Sequence, residues 1–365
     1  MEVRLAPVAT TRVAIVGASS IVGKELADVL AESPLAAARL TLLDEGGVAG
    51  QIATAGDDLS VVQKIDADSF DGVDFVFFAG AAVGTLRYWR SARQAGAAII
   101  DLTGVLEEEP GVVVRAPWVL AAVDASTRLD LTTAAVVSAH PATLMLLAVS
   151  ERLNAKLALR SIAAIVFEPA SAHGQAAMDE LHQQTVSLLS FQELPREQFD
   201  AQLAFNLLPV LGESAKVDLQ AGSARMAREY AALAGPGAPE LVFNVAQAPV
   251  FHASVISAMV EIAQPATVAQ VETALRGGPI DVPDAGSDAP SNVSAAGQSQ
   301  ILVRVSAASP VTQSQASQSE ESSAVRTPST RFWLWMAADN LKLTALNAIA
   351  CAGELSRLRP SGKVQ

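Results

Sequence analysis

The chain has 365 residues, half of them hydrophobic and only 17% charged, with a formal net charge of -13. That length exceeds one small core, and that composition excludes a disordered scaffold. The acidic balance argues against a nucleic-acid partner, because phosphate backbones are held mainly by Lys and Arg, and it reads instead as colloidal solubility. Cys351 is the one cysteine, which rules out an intramolecular disulfide and a cysteine-based metal site. The segment before Arg12 lacks a signal-type apolar core, and runs such as Leu144 to Val149 are too short to span a bilayer. The expectation is a soluble, cytoplasmic protein with no membrane partner.

Arg12 to Gly17 (RVAIVG) is a continuous apolar run of the kind found in parallel strands buried on both faces. A helix follows Gly23, with Val22, Leu26, Val29 and Leu30 on one side. Leu40–Leu43, Asp74–Phe78, Ala98–Asp101 and Val136–Ala139 read as further strands, with a helix over Thr85–Gln94 and another from Pro141 to about Asn154. Short apolar strands alternating with helices predict a doubly wound, mostly parallel α/β sheet. Past about residue 155 the pattern becomes α+β. Strands are expected at Ile162–Phe167, Leu241–Val245, Val255–Ile262, Ile301–Val305 and Phe332–Ala337. Helices are expected at Ala176–Ser190, Ala224–Leu233 and Leu341–Leu358. Pro283–Ser299 and Ser306–Thr330, rich in Ser, Gln, Ala and Pro, read as mobile loops.

The stretch Gly17-Ala18-Ser19-Ser20-Ile21-Val22-Gly23 joins a strand to a helix, where free N–H groups form an anion site. Gly17 permits the tight turn and Gly23 close packing of the helix, which gives a Rossmann-type dinucleotide site with Ser19, Ser20, Ile21 and Val22 between them. Ser20 stands where the middle glycine is usual; its side chain either crowds a pyrophosphate or donates to it. Asp44, at the end of the second strand, is placed to accept ribose hydroxyls. A 2′-phosphate would meet Asp44 and Glu45 with no nearby arginine, so NAD is expected over NADP.

From Arg12 to about Leu355 the chain resembles aspartate-semialdehyde dehydrogenase. The resemblance is carried by GASSIVG, HGQAAMDELHQQT (His173–Thr185), AFNLLPVLG (Ala204–Gly212), QAPVF (Gln247–Phe251) and DNLKLTALNA (Asp339–Ala348). It implies a dinucleotide-binding Rossmann domain over 1–139, an α+β dimerisation and substrate domain over 140–340, and a C-terminal helix over 341–365 returning to the first domain. It also implies a homodimer, and that Ser171, Gly174 and Asn340 complete the cofactor site. The family reductively dephosphorylates aspartyl phosphate using NADPH and a cysteine thioester.

Several family positions are altered here. The nucleophile position falls on Pro141, in Ser138-Ala139-His140-Pro141-Ala142-Thr143. The active-site glutamine corresponds to Glu168. The substrate-binding arginine and general-base histidine correspond to Gln247 and Ser254, and the phosphate-binding arginine to Glu107. Arg225 stands near the family lysine. The resemblance thus implies a divergent member without the catalytic cysteine, NAD-binding, with a small-molecule substrate in doubt and no intact catalytic set. An alternative is an active oxidoreductase on another aldehyde or carbonyl, without a thioester, drawing on Glu168, His140, His173, His252, Ser254 and Arg225. His140, before a helix, reads first as a cap, and His182 as solvated. Four histidines without short ligand spacing give no expectation of a metal.

Overall fold

A computed structural model describes residues 11–36, 38–45, 52–55, 58–120, 129–130, 132–284, 286–308 and 328–358. The chain divides into two compact units, one drawn from 1–115, 125–138 and 344–365, the other from 116–124 and 139–343.

The first unit runs β1 (Arg12–Val16), α1 (Ile21–Ala31), β2 (Arg39–Asp44), β3 (Ile52–Ala55), β4 (Asp58–Val61), β5 (Gln63–Lys64), β6 (Phe75–Phe78), α2 (Ala82–Gln94), β7 (Ala98–Asp101), β8 (Val112–Arg115) and β9 (Ala135–Ser138). Seven of these strands form one parallel sheet in the order β5-β2-β1-β6-β7-β9-β8, and β3 pairs with β4 alone. Strand side chains alternate with a period of two. In β1 this sends Val13 and Ile15 into a core shared with α1 and with Ala345, Ala348, Ile349 and Cys351. Ala14 and Val16 enter a second core on the opposite face, with Trp89 and Ala92 of α2. Both faces are therefore dry, which is why β1 reads as an unbroken apolar run. Strand β8 and the β3–β4 hairpin are additions to the elements expected from the sequence.

The second unit runs α3 (Pro141–Leu157), β10 (Leu159–Glu168), a 3-10 turn (Ala170–His173), α4 (Gln175–Leu189), α5 (Leu219–Leu233), β11 (Glu240–Gln247), β12 (Ser254–Ala266), α6 (Val268–Leu275), β13 (Ile280–Asp281), α7 (Asn292–Ala295), β14 (Ile301–Ala307) and β15 (Ser329–Ala338). The last helix, α8 (Asn340–Leu358), starts here and supplies its later turns to the first unit. The sheet is mixed, in the order β11-β10-β12-β15-β14-β13. Helix α3 packs against β10, β12, α5 and α6, and residues 142–150 are buried without a break, so no polar face is left to that stretch.

Three expectations need correcting. Helix α5 begins at Leu219, not Ala224, because the Asp218 carboxylate caps it by accepting from Ala221 N–H. Pro283–Ser299 is not wholly loop: Ser291 and Ser294 form a capping box that starts α7. Of Ser306–Thr330, residues 306–307 and 329–330 extend β14 and β15, and 309–327 lie outside the described residues.

Candidate functional site

The Gly17–Gly23 turn is fixed mostly by backbone. Gly17 has φ +81°, and a Cβ there would lie 2.2 Å from Gly80 Cα; one on Gly23 would lie 2.3 Å from Gly17 O. Neither position admits a side chain. The Ser20 hydroxyl accepts from Gly23 N–H at 2.8 Å and donates to Ala79 O at 2.7 Å. Ser20 is thus the N-cap of α1, and its hydroxyl is engaged by the protein itself.

Most N–H groups of the turn are already engaged. Those of Gly17 and Ala18 donate to Leu43 O, and that of Ser20 donates to Gly17 O. Ser19 N–H donates to Asp44 Oδ2 at 2.9 Å, and the Ser19 hydroxyl donates to the same oxygen. Among the described residues, the N–H groups of Ile21 and Val22 are left without an acceptor, at the positive end of α1. Asp44 also accepts from Glu45 N–H at 2.8 Å, so its carboxylate is oriented before any ligand arrives. One expectation is overturned here. Arg87 of α2 reaches Glu45 at 2.8 Å, so an arginine does stand near this edge, paired with a carboxylate.

The second unit assembles a different kind of site from separate segments. Glu168 ends β10, and the parallel register sets it opposite Gln247 at the end of β11. Gln247 Nε2 donates to Glu168 O at 3.0 Å and to Ala248 O at 3.3 Å. With the amide nitrogen so fixed, Gln247 Oε1 faces His173 Nε2 at 2.8 Å. His173 Nε2 lies 3.3 Å from Glu168 Oε2, and His140 Nε2 lies 3.6 Å from Glu168 Oε1. His140 is the N-cap of α3, its Nδ1 accepting from Ala142 N–H at 3.2 Å, and Pro141 takes the first helical position, which its fixed φ suits.

Glu168 is 3% exposed, and Oε1 has no hydrogen-bond partner among the described residues. Burial pushes its pKa up. The hydrogen bond from His173 and the charges of His140, His173 and Arg225 outweigh that and hold it below the ordinary glutamate value.

Glu229 joins the cluster although the sequence reading did not single it out. It is 1% exposed, and its Oε2 accepts from His140 N–H at 2.8 Å and from the Thr143 hydroxyl at 2.7 Å. Its Oε1 accepts from Arg225 Nε at 2.8 Å. A signal was available: Glu229 falls between Met226 and Tyr230 on the buried stripe of α5, where a carboxylate needs partners. Ser171 and Asn340 meet through a 3.1 Å hydrogen bond, and Asn340 Oδ1 also accepts from Ala253 N–H at 3.1 Å. Gly174 has φ +87° and precedes α4. Ser254 is buried at the start of β12. His252 makes no hydrogen bond or ion pair with the cluster among the described residues, and Glu107 belongs to the first unit. No group of three or more metal-binding side chains occurs among the described residues.

Residues 12–130 match a family model described as "Semialdehyde dehydrogenase, NAD binding domain", and residues 151–341 match one described as "Semialdehyde dehydrogenase, dimerisation domain". The chain belongs to the semialdehyde dehydrogenase family. A USG-1 protein homolog from Pseudomonas aeruginosa is 34% identical over 268 residues, which are 72% of this chain and 77% of that one. The aspartate-semialdehyde dehydrogenase of Rickettsia conorii is 25% identical over 265 residues, with the same coverage of 72% and 77%. Among solved structures, a probable aspartate-semialdehyde dehydrogenase from Pseudomonas aeruginosa matches with a TM-score of 0.78 at 30% identity, over 95% of this chain and 98% of that one. Aspartate semialdehyde dehydrogenase II from Vibrio cholerae gives the same TM-score of 0.78 at 23% identity, over 95% of this chain and 99% of that one, which speaks to the fold alone.

As a semialdehyde dehydrogenase-family protein the chain carries an NAD(P)-binding domain, and the Rossmann-type architecture expected from the sequence is the one observed. Its one cysteine, Cys351, is fully buried in α8 within the first unit's core, where burial pushes the thiol pKa up. No helix among the described residues is long and apolar enough to cross a membrane.

Proposed function

We propose that this semialdehyde dehydrogenase-family chain binds NAD and does not run the family's phosphorylating thioester reaction. The observation that carries this reading is the N-terminus of α3. Thioester chemistry needs a thiolate, and a helix N-terminus is where one is stabilised. That turn here holds His140, Pro141, Ala142 and Thr143, and the sole thiol is sequestered in an apolar core where the thiolate is disfavoured. The experiment is incubation with aspartate semialdehyde, phosphate and either NAD or NADP. No reduced cofactor is expected, and sustained turnover in either mixture defeats the reading.

The residues of the turn fit a dinucleotide. Ile21 and Val22 offer N–H groups at the start of α1, Gly17 and Gly23 bring backbone close, and Asp44 is pre-oriented for ribose hydroxyls. The preference for NAD now rests on a narrower basis. Asp44 and Glu45 both oppose a 2′-phosphate, and Arg87 is neutralised by Glu45. Calorimetric titration checks it: heat with NAD and weaker heat with NADP are expected, and no heat with either excludes the site. When bound, the dinucleotide supplies a hydride donor or acceptor.

A homodimer is supported by the open face of the mixed sheet, where Ile165, Val242, Trp333 and Trp335 remain 46%, 58%, 47% and 41% exposed. An apolar patch of this kind marks an association surface. Light scattering at micromolar concentration tests it, and a monomer removes it.

A second reading has an observation of its own. The carboxylate and two imidazoles around Glu168 favour an oxidoreductase acting on another aldehyde or carbonyl without a thioester.

A further inference from the structure

The second unit holds an oriented imidazole, His173, at the end of the 3-10 turn. Gln247 cannot turn its amide without setting an NH2 group against His173 and abandoning two carbonyls, Glu168 O and Ala248 O. Its Oε1 therefore faces His173 Nε2, as does Glu168 Oε2, so Nε2 must carry a proton. In the neutral ring that leaves Nδ1 as a lone pair, and among the described residues Nδ1 has no hydrogen-bond partner. Its side chain keeps 17% exposure, and the ring is steadied edge-on by Phe199, with centroids 6.5 Å apart. His140 is the internal contrast: its Nδ1 is already taken by Ala142 N–H. A histidine serving only as structural filling has little reason to hold one nitrogen on two acceptors and leave the other bare.

We propose that Glu168 and His173 form a proton-transfer dyad, with His173 Nδ1 as the acceptor and a compound bearing an ionisable hydroxyl, an alcohol or an aldehyde hydrate, as the substrate. In the step, the substrate O–H bond breaks and an N–H bond forms at Nδ1. The substrate oxygen keeps the electron pair, and the imidazolium charge is met by Glu168, which stays ionised. Returning the proton restores the neutral ring. Glu168 suits this role because its Oε1 holds unused acceptor capacity in a site away from water. The other charged groups around that carboxylate are His140 and Arg225, and Arg225 is itself bound to Glu229. The proposal rests on the reading that the thioester route is lost, since a working thiolate would make an imidazole acceptor redundant.

Two measurements on the full chain test it. The first is long-range 1H–15N correlation on histidine-labelled protein at alkaline pH, where imidazoles are neutral. With four histidines in the chain, His173 is assigned by elimination. The expected result is the Nε2–H tautomer with a bare Nδ1, and an Nδ1–H tautomer overturns the dyad. The second is hydrolysis of p-nitrophenyl acetate, an activated ester that reports an accessible imidazole base. His173→Gln is expected to lower the protein-dependent rate by roughly a hundredfold, Glu168→Gln by less, and His182→Gln not at all. A His173→Gln rate equal to wild type overturns the proposal, as does a wild-type chain no faster than buffer. Should His173→Gln fail to fold, the tautomer of the wild-type chain still decides. Phosphate-dependent oxidation of aspartate semialdehyde is a separate readout, so failure of the dyad and failure of the lost-thioester reading are told apart.

Discussion

The glycine turn of the first unit and the Glu168 cluster of the second are both polar sites at element ends, yet they are held in opposite ways. The turn is made of consecutive residues whose positions are set by backbone contact, with Gly17 against Gly80 and Gly23 against Gly17. The cluster is made of side chains from α3, β10, the 3-10 turn, α5 and β11, each positioned by hydrogen bonds to the others. The backbone site is therefore expected to tolerate polar change around it but no added carbon atom. The side-chain site is expected to tolerate changes of shape at its rim but not the loss of a buried charge.

The sharpest break of that comparison is Glu229→Ala. It strips a buried carboxylate from His140 N–H, the Thr143 hydroxyl and the Arg225 guanidinium at once. Removing one partner of such a buried set costs about 3–5 kcal/mol. The expected outcome is a large drop in the chemical denaturation midpoint, with Glu229→Gln intermediate because it keeps the shape and one acceptor. A loss below about 1 kcal/mol in the alanine variant shows that the cluster is not held by its side chains.

Gly17→Ala is the matching break in the first unit. The added methyl meets Gly80 backbone, which has no rotamer to give, and φ +81° is strained for any L side chain. Overpacking and strain together cost about 3 kcal/mol, and NAD binding is expected to fall with it. Denaturation and calorimetry on the same variant check both.

These two sites also differ in how far they were legible before the fold was known. The turn could be read directly, because its function depends on residues adjacent in sequence. So could the start of α3, because Pro141 at a first helical position is a local signal. The cluster could not: nothing in the spacing of His140, Glu168, His173, Arg225 and Gln247 brings them together. The parallel register sets Glu168 opposite Gln247, and the packing of separate segments brings His140 and His173 to that carboxylate. Resemblance groups Glu168, His140, His173 and Arg225 and adds Gln247, but it misses Glu229. That residue's place between Met226 and Tyr230 is a local signal, while its bonds to His140 and Thr143 are a tertiary fact. Among elements, α6 is absent from the expected set although Thr267 and Gln270, which form its capping box, are a local signal. Arg87 approaches Glu45 from another element, so the pair is not legible from local sequence.

Acidification separates the sites further. Glu168 is held below its ordinary pKa in the folded chain. A depressed carboxylate contributes stability above the unfolded value, about 4.3, and loses it as pH falls through the folded value. Glu168→Gln is therefore expected to lower stability by about 2 kcal/mol at neutral pH, with the gap to wild type closing as the pH falls below that of ordinary carboxylates. Thermal melts of both chains across that range measure it. A gap independent of pH means that Glu168 is not the ionised centre of the cluster.

Ser20→Ala is the smallest effect and the most exacting for the backbone side of the comparison. The substitution removes the cap from Gly23 N–H and the donor to Ala79 O, but leaves Gly17, Gly23 and their close contacts in place. Losing a serine cap costs about 1 kcal/mol. Because Ile21 and Val22 keep their N–H groups, NAD affinity is expected to change less than stability does. Ser20 is then a support of the turn, and its hydroxyl has no part in holding the pyrophosphate. The reverse outcome, intact stability with binding weakened tenfold or so, roughly 1.4 kcal/mol, means that the hydroxyl leaves Ala79 O for the ligand. In that case side-chain chemistry contributes to the first site as it does to the second.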